Sequence, residues 1–336
     1  MSLYRAETRR LVKRRFTRVL VIGALVVLAA VAVGMFFTNH RIGPAEIRAA
    51  QAAAEADYQQ QTQSVLQQRQ QCEAAKGTSE AANWPPNCND ITGPGRENFD
   101  PTWYLAATFD FRKSFGDMVT TLAGVLALVA FVVGASFVGA EWSSGGMMNL
   151  LLWRPQRLKV LGTKLLALLA GLTVLTVLAA AVWTGLFTLI ARFRGTSAGM
   201  TPGAWRSFAI MEARALVLVL AAGAIGFALA SLGRHTATAF GVVIGVVVLL
   251  QIGLGTVLNL AKVKFVEAYL IPFWVQAWLD KSVTFENYDA CNFNVNTGCQ
   301  PDRMTLTWQM AGTALVIILV AVVSAALWTM RSRDVT

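Results

Sequence analysis

GASFVGAEWSSGGMMNLLLWRPQRLKVLGTKL, residues 134–165, joins the end of one long apolar run to the start of another. Between the runs lie a short polar break (Glu141, Trp142, Ser143, Ser144, Gly145, Gly146), an apolar patch from Met147 to Trp153, and Pro155 among the bases Arg154, Arg157 and Lys159. Ser143 or Ser144 can N-cap a short helix. Pro155 ends it, because proline lacks the backbone N–H and its ring clashes with the preceding turn. The stub so bounded has about two to three turns. It is too short to cross a bilayer, which takes about 20 apolar residues, and too apolar to float free. Arg154, Arg157 and Lys159 place it on the cytoplasmic side, where membrane proteins concentrate their bases. A capped, amphipathic stub between two spans is what a membrane subunit needs if another protein is to push on it.

The composition around this stretch is that of a membrane protein. Of 336 residues, 55% are hydrophobic and only 14% charged, against roughly 25% charged in soluble domains, and the mean hydropathy is +0.51. The formal net charge of +10 does not point to nucleic acid. The bases gather at the ends of apolar runs and form no stripe interleaved with aromatics, so anionic headgroups are the expected partner.

Residues 1–18 carry Arg5, Arg9, Arg10, Lys13, Arg14, Arg15 and Arg18 against the single acid Glu7. Leu3, Tyr4, Leu11, Val12 and Phe16 fall near one side at helical spacing, which predicts an interfacial amphipathic helix on the cytoplasmic face. Six spans are expected, at 19–38, 115–140, 159–191, 207–232, 236–258 and 304–330. The segment 141–158 and the tail 331–336 then lie inside, with both termini cytoplasmic, and 39–114, 192–206 and 259–303 lie outside. The insert 39–114 reads as a helix over Ala45 to Gln71, rich in Ala, Gln and Glu, followed by loop rich in Pro, Gly, Asn and Asp. In 259–303 the apolar, aromatic stretch Phe265 to Leu279 is broken by Pro272 and reads as short re-entrant or interfacial helices. The fold class is therefore an all-α membrane protein with an interfacial helix, a coupling helix and a large extracytoplasmic insert.

Few residues carry chemistry. No phosphate-binding GxxxxGK[ST] occurs, and with His40 and His235 the only histidines the sequence argues against a histidine-based metal or triad site. The chain is expected to be no enzyme and to hold no cofactor or metal of its own. Glu212 and Arg214 sit in the first turns of span four, two apart, so they point in different directions and each needs a partner elsewhere. Either can line an outer vestibule, with snorkelling to the headgroups the default. Gln251 is the one strongly polar side chain in span five. No carboxylate sits mid-span, which argues against a proton-coupled carrier. All four cysteines fall in outer segments. Three pairings are possible, and proximity in sequence favours Cys72 with Cys88 and Cys291 with Cys299.

GAEW, the pair Gly145 and Gly146, the apolar turn, Arg154-Pro155, Arg157, and Lys164 opening the next span together resemble the cytoplasmic coupling segment of ABC-2-type transporter permeases. The resemblance implies that Glu141, Ser143, Met147, Leu150, Leu151, Arg154 and Arg157 form a contact with an ATP-binding ABC subunit. ATP and Mg would sit on that partner. This chain departs from the usual pattern at Met147, Met148 and Asn149, where a polar or basic turn is common. The resemblance also implies a second permease copy, a cavity walled by spans two and five with Gln251 and Glu212 on the path, and export of a lipophilic or amphiphilic substrate across the cytoplasmic membrane. A different class of function, a membrane-anchored receptor or envelope scaffold acting through 39–114, rests only on the size of the insert.

Overall fold

The structure, a computed structural model, describes residues 3–147, 149, 156–294 and 298–332, with the backbone alone at 289–294, 298 and 299. The described residues are mostly helical, and six of their helices are long and apolar enough to cross a membrane: α2 (Arg15–Thr38), α4 (Phe111–Ser143), α5 (Arg157–Arg194), α6 (Pro202–Leu232), α7 (Thr236–Leu260) and α9 (Trp308–Ser332). The other helices are α1 (Leu3–Lys13), α3 (Pro44–Ala75) and α8 (Ile271–Asp280). The chain divides into two compact units, one of residues 1–32, 112–188 and 198–336, the other of 33–111 and 189–197.

In the first unit α4 and α6 form the centre. Buried residues make up 67% and 56% of their most apolar windows, against 6% in α7 and 11% in α9. Glycines let α4 and α6 come together: a Cβ on Gly134 would lie 2.2 Å from Gly223 O, and one on Gly226 would lie 2.3 Å from Phe131 O. Between apolar helices in lipid no hydrophobic drive remains, so this close backbone packing supplies the attraction. An aromatic group then ties in α5. Phe115 meets Phe208 edge-on at 5.1 Å, Trp183 packs on Phe187 at 4.7 Å, and the Trp183 indole donates to Met118 O at 3.0 Å.

The segment that follows α7 is not all helix. After a 3₁₀ turn at Val266–Tyr269 and helix α8, the chain forms an antiparallel hairpin of strands β3 (Ser282–Asn294) and β4 (Gly298–Thr307). The mostly helical fold agrees with the expected all-α membrane class, but 259–303 is not only a re-entrant helical segment and the last span does not start at 304: residues 304–307 belong to β4, and α9 starts at Trp308. The cause is a period-2 pattern. Val283 pairs with Leu306 and Phe285 with Met304. These four side chains pack with Phe273, Trp274, Ala277 and Trp278 of α8 in one apolar cluster.

In the second unit α3 carries the weight. Pro44 starts it, and Gly43 N–H donates to Glu46 Oε2 at 2.9 Å, satisfying one of the donors a helix start leaves open. The loop that follows folds back along α3. Cys72 and Cys88 form a disulfide with Cα atoms 5.8 Å apart. Arg69 donates to Ile91 O at 2.8 Å, Tyr104 to Asp57 Oδ2 at 2.7 Å, Arg96 pairs with Glu55, and Tyr58 meets Phe99 edge-on at 5.6 Å. A two-residue parallel pair, β1 (Phe109–Asp110) with β2 (Gly195–Thr196), completes the unit. Gly195 is required there, since a Cβ would sit 1.9 Å from Phe109 O.

Candidate functional site

Helix α4 runs on through Glu141 and Trp142 to Ser143, one turn beyond the expected end of span two. The two serines do not cap a following helix with their hydroxyls. Ser143 Oγ donates to Ala140 O at 3.2 Å and Ser144 Oγ to Glu141 O at 3.4 Å, so both point back along α4. Gly145 then takes φ +71°, the left-handed conformation that ends helices at little cost for glycine. Helical bonding resumes at once, with Asn149 N–H donating to Gly145 O at 3.2 Å, and Met147 is fully buried. Leu150, Leu151 and Arg154 lie outside the described residues. Arg157 opens α5 and shares a surface cleft with Lys159, Met330 and Arg331.

Beside this stretch sits an ionic junction that sequence reasoning did not assemble. Lys164, two turns into α5, is fully buried, and its Nζ lies 2.7 Å from Glu7 Oε2 on α1 and 2.7 Å from Glu141 Oε2 on α4. Glu7 is 1% exposed and Glu141 22%. Arg10, exposed on α1, reaches both carboxylates, at 3.5 Å from Glu7 and 3.9 Å from Glu141. Nζ also lies over the Phe137 ring at 5.2 Å. Two cations and two carboxylates balance, and each oxygen-rich partner compensates the large cost of taking the ammonium out of water. One lysine thereby fastens three helices, α1, α4 and α5.

Glu141 is thus paired by Lys164 and by Arg10 of the N-terminal helix. Arg14 lies nearby, where burial lowers its pKa and the Glu141 charge acts the other way, but its Nη1 donates to Ser136 O at 2.8 Å. Two signals in the sequence pointed to the junction: Glu7 is the one acid among seven bases in residues 1–18, and Lys164 is a lone charge inside an apolar run.

The two residues expected on a path have different settings. Glu212 on α6 accepts a hydrogen bond from Thr184 of α5, so it is tied between helices. Gln251 lies in a π-helical stretch of α7, Val247–Leu254, and its Nε2 is buried without a hydrogen-bond partner among the described residues. Arg214 packs on aromatic faces. Its guanidinium lies over Trp308 at 4.9 Å and Trp278 at 6.0 Å, while the Trp278 indole donates to Arg214 O at 2.9 Å, pinning α8 to α6. Of the expected disulfides, Cys72–Cys88 is formed. The side chains of Cys291 and Cys299 lie outside the described residues.

Comparison with curated proteins finds no match. The sequence profile of the family described as ABC-2 family transporter protein matches residues 1–334, nearly end to end. With six long apolar helices and this match over the whole transmembrane layout, the chain is a multi-pass membrane protein that belongs to the ABC-2 transporter family.

Proposed function

We propose that the chain is the permease subunit of an ABC transporter, moving a lipophilic or amphiphilic substrate outward across the cytoplasmic membrane. ATP is hydrolysed on a separate subunit that docks on residues 141–158. The observation that carries this reading is the junction around Lys164. It holds α1, α4 and α5 as one body next to the docking stretch, so a displacement imposed there moves two spans and the amphipathic helix together. Both termini are cytoplasmic in this reading, and two permease copies enclose the path.

The apolar Leu150 and Leu151 supply the buried contact with the ATPase, the expected third member Met147 being already buried inside the chain, and Arg154 and Arg157 meet acidic groups at its rim. A charge placed at the centre of a packed apolar contact costs several kcal/mol, whereas a rim charge changes little. Leu150→Asp should therefore abolish co-purification with the ATPase, Glu141→Ala should leave the complex assembled with impaired transport, and Arg157→Ala should be mildest. Spans two and five are nearly all apolar, so amphiphiles and not small hydrophilic solutes should stimulate ATP hydrolysis by the assembled complex. A Leu150→Asp protein that assembles and transports normally would sink the proposal.

A further inference from the structure

A cavity of about 330 Å³ opens where α1 turns into α2, against α4 and α5. Its wall is apolar, with Leu11, Val21, Leu172 and Leu175, and two polar residues stand at its edge, Thr17 and Arg18. The Thr17 hydroxyl is buried and has no hydrogen-bond partner among the described residues. A buried hydroxyl left unpaired is unfavourable, and its position in the cavity wall marks where a ligand oxygen would be satisfied. Arg18 donates its Nε to Val12 O at 3.1 Å, which holds the exposed guanidinium at the same rim. Arg15, three residues before it, and Lys13 at the end of α1 are exposed as well, and among the described residues none of the three cations forms an ion pair.

From these features we infer that the cavity is a binding site for one anionic phospholipid, whose acyl chain fills the apolar groove and whose phosphate meets Arg18 and Thr17. The volume is at the small end for ligand sites, about 300–1,000 Å³, which suits a single alkyl chain. Three of the four helices that form the groove, α2, α4 and α5, are long and apolar enough to span, so the material that reaches it is the bilayer itself. Positive charge at the rim selects the anionic headgroups, and arginine's planar fork of donors matches phosphate oxygens. Leu11 gives the site a consequence for the rest of the protein. It belongs to the same helix as Glu7 and Arg10, so a chain seated against Leu11 holds α1 down on the junction at Lys164. This makes the lipid a resident component and not cargo, independent of which substrate the transporter moves.

The test uses the full-length protein in nanodiscs of equal parts phosphatidylglycerol and phosphatidylcholine, released and weighed by native mass spectrometry. Wild-type protein should retain phosphatidylglycerol in preference to phosphatidylcholine. Leu175→Trp, which fills the groove away from the ionic junction, should lose it. Arg18→Gln should lower retention about fivefold, the effect of one basic group at an anionic surface, and Arg18→Lys should restore most of it. Thr17→Val, which removes only the hydroxyl, should lower retention without changing the fold. A second measurement needs no variant: phosphatidylglycerol with a photoreactive group in its acyl chain should label residues 17–22 and 171–175 of the wild type. Equal retention of the two lipids, undiminished retention by Leu175→Trp, or labelling spread as strongly over α7 and α9 would each overturn the site.

Discussion

Lys164 and Arg214 are both cations on spanning helices of the same unit, and the protein neutralises them in opposite ways. Lys164 is buried between two carboxylates from two other helices. Among the described residues Arg214 forms no ion pair; it lies over two indoles and near the carbonyls of Trp278 and Leu279, each 3.4 Å away. The difference follows from the two side chains. Ammonium is a compact, strongly hydrated charge that needs full counter-charges when buried, whereas guanidinium is flat, weakly hydrated and stacks on aromatic faces. It also predicts different kinds of dependence. The Lys164 junction is a mutual arrangement that fails if one member is removed, while the Arg214 contact is a sum of modest attractions that weakens by degrees.

Lys164→Met breaks the comparison most directly. It leaves Glu7 and Glu141 as neighbouring like charges without the buried cation that both contact, and should cost about 3–5 kcal/mol. Thermal unfolding in detergent should show a large fall, with α1 released to protease. Adding Glu7→Gln and Glu141→Gln to Lys164→Met should recover much of the loss, since the fault is uncompensated charge and not lost volume. If Lys164→Met melts as the wild type does, the junction does not hold α1.

The covalent tie in the other unit comes next. Cys72→Ser with Cys88→Ser should lower the stability of residues 33–111 by about 2–4 kcal/mol, the usual worth of a loop-closing bridge. Hydrogen exchange should rise along the end of α3 and in 76–91 and stay unchanged at the Lys164 junction. Protection at α1 that falls equally would show that the two regions are not independent.

Arg214→Gln sharpens the contrast from the weaker side. Loss of two cation–π contacts should cost about 1–2 kcal/mol, seen as faster exchange in α8 and the hairpin with little change elsewhere. An effect as large as that of Lys164→Met would mean that Arg214 is bound by more than indoles and carbonyls.

Tyr104→Phe should have the smallest effect, because the hydroxyl and Asp57 are both exposed. The hydrogen bond to Asp57, with desolvation and the Asp57 charge behind it, raises the Tyr104 pKa above its ordinary value. The contact is therefore intact at neutral pH and is lost as pH rises through that raised value. Tyr absorbance titrations of wild type and Tyr104→Phe should differ by one phenol titrating late.

Much of the architecture was legible because it rests on local signals. Runs of apolar residues longer than a bilayer is thick mark spans wherever they occur, and the Ala/Gln/Glu-rich start of the insert marks a helix by propensity alone. The hairpin escaped notice because its alternation is short and diluted. Among the described side chains, Val283, Phe285, Met304 and Leu306 carry the buried face, while Asn287 and Asn292 flank a register shift. Residues with turn-forming character were read as loop, and the face of α8 that makes the alternation worthwhile lies outside that window of sequence.

The sequence alone determined that six apolar runs are long enough to cross a membrane and that a short polar break follows the second of them. Hydropathy, turn propensity and charge counts are properties of neighbouring residues, and neighbours are what a sequence shows. Tertiary structure alone decided who pairs with whom. Glu7 and Lys164 are 157 positions apart, and among seven bases near Glu7 and several near Glu141 no local rule selects Lys164 as the shared partner. Burial makes that choice: only where three helices close around one side chain does an ion pair become strong enough, and an unpaired charge costly enough, for the partner to be fixed.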